Sequence, residues 1–118
     1  MKTLFIIDDS DTNLATAEEA LEDHFNVMTL PSAAKMFDLL EKITPELILL
    51  DIEMPEMNGF EALERLKAGS KWASIPVIFL TGTKNASIEE KSKNLGAVGI
   101  VTKPFDPSSL LNAVNLHI

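Results

Sequence analysis

The chain has 118 residues, 46% hydrophobic and 24% charged, a globular composition of the size of one ordinary domain. It has no cysteine, which excludes a disulfide framework and thiol chemistry, and no apolar run near the roughly 18 residues that span a bilayer. The net charge of −8 is uneven, with fifteen acids against three lysines in residues 1–64 and three acids against seven basic residues in 65–118. An acidic whole argues against direct nucleic-acid binding, which needs clustered Lys and Arg. Solvated helix faces are the leading reading of the acidic half, with a basic partner surface or a bound cation as the alternative. The start runs straight into a strand-like segment without a signal-peptide pattern, so a cytoplasmic protein with no membrane contact is expected.

Along the chain, short apolar runs alternate with amphipathic stretches five times. The first run, Thr3–Ile7, ends in Asp8-Asp9, and Ser10 or Asp11 can cap a helix over Asp11–Asp23. A second run, Asn26–Leu30, is followed by Pro31-Ser32 and a helix over Ser32–Ile43, whose Ala33, Met36, Phe37, Leu40 and Ile43 share one face. Pro45 closes that helix. The third run, Glu46–Leu50, leads into Asp51, and a helix over Asn58–Lys67 precedes Gly69. Val77–Leu80 is followed by Thr81-Gly82 and a helix over Ser87–Leu95 that Gly96 terminates. The last run, Val98–Thr102, leads into Lys103-Pro104, then Asp106 as cap and Pro107 at the first position of a helix to Leu116.

Runs that are apolar on consecutive positions suit strands covered on both faces. Five β–α units in this length predict an α/β fold: a doubly wound, five-stranded parallel sheet of flavodoxin-like order 2-1-3-4-5 with five helices. No linker or low-complexity segment interrupts residues 1–118, so one domain is expected.

The polar residues fall at the carboxyl ends of the strands: Asp8, Asp9, Asp51, Thr81 and Lys103. In this order the first and third strands flank the topological switch point, where open α/β sheets bind ligands. Singly, each residue has an ordinary explanation, as capping chemistry, a turn or a solvated lysine. Four strand ends with complementary chemistry do not. Three converging carboxylates exceed what Lys103 can neutralise, and a hard divalent cation with few protein ligands, in the manner of Mg²⁺, resolves the excess. A carboxylate beside that cation, a lysine and a hydroxyl is equipped for phosphoryl transfer to a carboxylate. His24 and His117 have no partners at ligand spacing.

Read as motifs, these segments resemble the response-regulator receiver family of two-component signalling. The likeness rests on Leu4-Phe5-Ile6-Ile7-Asp8-Asp9, on Leu47 through Gly59 with Met54-Pro55 and Asn58-Gly59 in place, on Pro76 through Gly82, on Gly96-Ala97 and on Lys103-Pro104-Phe105. It covers essentially the whole chain. The resemblance implies that Asp51 accepts a phosphoryl group from a sensor histidine kinase or phosphotransfer protein. It implies Mg²⁺ held by Asp9, Asp51 and the backbone carbonyl of Glu53, with Asp8 acting through water. Lys103 and Thr81 would hold phosphoryl oxygens, and the Lys103-Pro104 peptide would be cis. It further implies a signalling face on the fourth helix, fifth strand and fifth helix, open to a homodimer or another partner. Such a domain is not an enzyme beyond its own phosphotransfer and dephosphorylation.

Three departures stand out. Ile100 replaces an aromatic residue frequent three positions before the lysine, Gly82 stands where alanine is usual, and Glu53 and Thr83 occupy variable positions that tune phosphoryl lifetime. An aspartate-nucleophile phosphatase of the haloacid-dehalogenase type fits poorly, because Asp9-Ser10-Asp11-Thr12-Asn13 lacks the final Thr or Val and leaves Asp51 unexplained. A receiver-like docking module that works without phosphorylation is the closer rival, favoured by Ile100. The apolar ending Leu116-His117-Ile118 is expected of a domain cut from a longer regulator.

Overall fold

Alternating side-chain direction along each strand divides the apolar residues between two faces of one sheet. The computed structural model describes residues 1–69 and 71–118. In chain order it runs β1 (Thr3–Ile7), α1 (Asp11–Leu21), β2 (Asn26–Leu30), α2 (Ala33–Leu40), β3 (Leu47–Asp51), α3 (Gly59–Ala68), β4 (Val77–Thr81), α4 (Ala86–Leu95), β5 (Gly99–Thr102) and α5 (Pro107–His117). The strands form one parallel sheet in the expected order β2-β1-β3-β4-β5.

On one face Phe5, Ile7, Ile48, Leu50, Val77 and Phe79 pack with residues of α2 and α3. On the other, Leu4, Ile6, Leu47, Leu49, Ile78 and Leu80 pack with α1 and α5. Residues 4–7 of β1 and all of β3 and β4 are buried, which is why those runs read as continuously apolar. α4 is different: only Ser92 is buried on it, with Ile88 and Leu95 half-buried against the core.

Several boundaries differ from the sequence expectations, each for a local reason. β3 includes Asp51, which pairs with Leu80, and Ile52 N–H still donates to the Leu80 carbonyl. β4 likewise extends to Thr81, paired with Thr102, whereas β5 begins at Gly99 instead of Val98. α1 stops at Leu21, whose carbonyl accepts N–H bonds from both His24 and Phe25 in a closing turn. α2 stops at Leu40, because Lys42 and Ile43 both donate to Leu39. Ile43 therefore packs from the turn, while Ala33, Met36, Phe37 and Leu40 form the buried helix face.

Capping follows the expected residues. Ser10, Ser32 and Asp106 accept backbone N–H bonds from Asn13, Lys35 and Ser109, and Asn58 forms a capping box with Glu61. Gly96 closes α4 in the left-handed conformation at φ 98°. Gly69 closes α3 in extended backbone, so its glycine is not required by a positive φ. No helix among the described residues is long and apolar enough to cross a membrane.

Candidate functional site

β1 and β3 are neighbours, so their carboxyl ends bring Asp8 and Asp51 together. Asp8, Asp9 and Asp51 each present a carboxylate oxygen within 4.8 Å of the others. Asp8 and Asp51 are buried, and Asp9 is exposed. Two similar turns aim the buried pair: Ser10 N–H donates to Asp8 Oδ1 at 2.9 Å and Glu53 N–H to Asp51 Oδ1 at 3.2 Å.

Lys103 follows β5, and its N–H donates to the carbonyl of Thr81 at 2.8 Å. The Lys103-Pro104 peptide is cis, as expected. Lys103 Nζ lies 2.9 Å from Asp51 Oδ1 and 3.4 Å from Asp8 Oδ2. Asp51 Oδ2 is buried with no hydrogen-bond partner among the described residues.

The charge balance is unfavourable to an ionised Asp51. Burial, with help from Asp8, pushes its carboxyl from 3.8 up to about 7, although bonds from Lys103 and the Glu53 N–H pull it down. Burial also acts to lower Lys103, but Asp51 and Asp8 together outweigh it and raise the ammonium above its ordinary value. Three carboxylates, one lysine and an unsatisfied buried oxygen suit a hard cation with oxygen ligands.

Thr81, at the end of β4, is fully buried, but its hydroxyl bonds to neither Asp51 nor Lys103. Its hydroxyl lies 2.8 Å from Glu53 Oε1 and 2.8 Å from the Thr83 carbonyl, and it accepts the Thr83 N–H at 3.1 Å. The Glu53 side chain thus engages Thr81. Sequence reading placed both residues at the site and missed this bond, since nothing in residue spacing gives a side-chain rotamer.

It also took Gly59 only as part of a motif. A Cβ there would stand 2.5 Å from the Asp51 carbonyl oxygen and 2.8 Å from Ile52 Cα. Glycine lets α3 start directly against the end of β3, where Gly59 N–H donates to the Ile52 carbonyl at 2.9 Å. Asp11, needed for the phosphatase alternative, is exposed in the first turn of α1. Ile100 is half-buried against the core and lines a groove of about 370 Å³ with Glu89, Ser92, Lys93, Ala97, Val98 and Gly99.

Residues 4–115 match the response regulator receiver domain family. The chain belongs to that family. The receiver superposes on the Vibrio cholerae chemotaxis protein CheY4 with a TM-score of 0.94, at 26% identity over 100% of this chain and 99% of that one. It is 32% identical to protein PilH of Pseudomonas aeruginosa over 98% of this chain and 96% of PilH. A probable cyclic di-GMP phosphodiesterase of Vibrio cholerae is 36% identical over 98% of the receiver, which spans only 26% of that protein. The receiver also spans 52% of a probable transcriptional regulator, ycf29, of Porphyra purpurea, at 38% identity. The sequence relatives therefore include proteins that the receiver nearly fills and proteins of which it is a fraction.

Proposed function

We propose that this receiver is switched by reversible phosphorylation of Asp51, with Mg²⁺ beside it and a sensor histidine kinase or phosphotransfer protein as donor. The observation that carries the reading is Asp51 Oδ2, a buried carboxylate oxygen with no partner, set beside Asp8, Asp9 and Lys103. The carboxylates of Asp9 and Asp51 and the carbonyl of Glu53 would hold the metal, with Asp8 acting through water. When bound, Mg²⁺ supplies positive charge against the phosphoryl oxygens.

Asp51 attacks phosphorus as the carboxylate, and the N–P bond of the donor phosphohistidine breaks with its electron pair left on the imidazole nitrogen. Lys103 favours the ionised nucleophile beforehand. Once the acyl phosphate has formed, Asp51 loses its own charge, and Lys103 turns to a phosphoryl oxygen. Thr81 swings to donate to another. The domain carries out its own phosphotransfer and dephosphorylation and is not an enzyme on other substrates.

The consequence would reach a partner or output domain through α4, β5 and α5, where a homodimer is also accommodated. We take residues 1–118 as one receiver, cytoplasmic and without direct nucleic-acid contact. Ile100 favours a second reading, docking without phosphorylation, because no ring is present at that position to move with the site.

Intact-mass measurement after treatment with acetyl phosphate and Mg²⁺ separates the two. One phosphoryl adduct, absent in Asp51→Asn, is expected. No adduct, or one that survives Asp51→Asn, removes the phosphoacceptor reading.

A further inference from the structure

The Thr81 hydroxyl has one proton and two acceptors within 2.8 Å, the Glu53 carboxylate and the Thr83 carbonyl. It can donate to only one at a time, and the charged carboxylate is the stronger acceptor. Glu53 is exposed, and its carboxylate has no other hydrogen-bond partner among the described residues. Its backbone is fixed separately, by the N–H bond to Asp51 Oδ1. Among the described residues the side chain therefore makes one hydrogen bond, and its partner is the Thr81 hydroxyl.

We propose that Glu53 is a positioning residue that holds the Thr81 hydroxyl away from Asp51 in the resting receiver, so that phosphorylation must exchange one anionic acceptor for another. The inference rests on the phosphoacceptor reading of Asp51 and deepens it. A phosphoryl group brings nearly two negative charges and three acceptor oxygens into a site that already contains Asp8 and Asp9. It repels the Glu53 carboxylate and offers the hydroxyl a better acceptor, two effects in the same direction. Breaking the resting bond opposes them and lowers affinity for the phosphorylated arrangement. Two discrete hydrogen-bonded positions for one buried hydroxyl make a two-state element that needs no ring at Ile100.

A double-mutant cycle on the full chain tests this, with beryllofluoride and Mg²⁺ standing in for the phosphoryl group. Its members are the wild type, Glu53→Ala, Thr81→Val and the double variant. Loss of one charge-assisted hydrogen bond to a half-solvated carboxylate should tighten beryllofluoride binding roughly three- to tenfold in Glu53→Ala. The same substitution should tighten binding clearly less in the Thr81→Val background, where only loss of the Glu53 charge still acts. An equal effect in both backgrounds means that Glu53 acts through its charge alone and overturns the proposal, as does no effect in either.

Ligand-free NMR couplings that report the Thr81 χ1 rotamer supply an independent readout if a variant folds poorly or nothing binds beryllofluoride. In Glu53→Ala the hydroxyl keeps only its Thr83 bonds, so the couplings should move part-way from a single rotamer towards an average, and unchanged couplings refute the latch. Absence of beryllofluoride binding in the wild type removes the phosphoacceptor reading instead, so the two failures are distinguishable.

Discussion

The carbonyl oxygen of Asp51 and the α-carbon of Gly59 are so close that a Cβ on Gly59 would lie 2.5 Å from that oxygen. The first turn of α3 is thereby seated on the backbone of the phosphoacceptor candidate, and the chain from 52 to 58 forms a tight loop between them. The start of α3 and the end of β3 cannot be displaced separately.

Gly59→Ala should force them apart. The obstructing atoms are backbone, so relief requires movement of α3 or of the end of β3, at a cost of about 1–3 kcal/mol. Urea denaturation should give a lower midpoint, and acetyl phosphate labelling should slow. An unchanged midpoint would mean that the close approach relaxes freely.

The pH dependence of the metal-free protein follows from Asp51. Its folded carboxyl titrates at about 7 against an unfolded value of 3.8, so the unfolded chain ionises first. The stability from keeping it protonated is fully present below the unfolded value and is lost as pH rises from about 4 through 7, a loss of roughly 3–4 kcal/mol. In EDTA the wild type should be less stable at pH 8 than at pH 5 by a margin that Asp51→Asn largely abolishes. Added Mg²⁺ at pH 8 should restore stability to the wild type and much less to the variant. Parallel pH profiles for the two proteins would contradict this assignment.

These two predictions differ in how far the sequence alone could reach them. Asp8, Asp9, Asp51 and Lys103 were legible because strand ends are legible: a parallel sheet with buried faces writes continuous apolar runs, and the polar residue after each run marks the same rim. The strand order then follows from the number of β–α units. What the sequence could not display depends on atoms a few ångströms apart in loops. The bond from Thr81 to Glu53 needs a rotamer, and the contact of Gly59 with Asp51 needs the path of the loop. Ends of elements were also off by one to three residues, as at Asp51 and Leu40, where turn hydrogen bonds and not apolar periodicity decide.

Glu56 has φ 68°, a left-handed conformation in a residue without glycine's freedom. That conformation costs roughly 1–2 kcal/mol, and glycine would relieve it while losing about 0.5–1 kcal/mol of additional chain entropy. Glu56→Gly should therefore stabilise the fold by on the order of 0.5–1 kcal/mol in urea titration. A destabilised variant would mean that the glutamate side chain contributes more than its backbone strain removes.

Gly82 presents the opposite case. A Cβ there would meet nothing within 4 Å, and its φ is not in the left-handed range. Gly82→Ala should raise the thermal midpoint, corresponding to about 0.4–1 kcal/mol, by restricting the unfolded chain. A fall would reveal a conformational need for glycine.

α4 is anchored by one buried serine and two half-buried aliphatic residues, whereas β3 and β4 are wholly buried. Thermodynamic reciprocity gives this looseness a use. If phosphorylation of Asp51, as proposed, changes the pose of α4, a partner that prefers the changed pose must favour the phosphorylated state at equilibrium by the same factor by which phosphorylation strengthens its grip. The occupancy of Asp51 under the proposed scheme would then report the abundance of whatever holds α4 as well as the supply of phosphoryl donor.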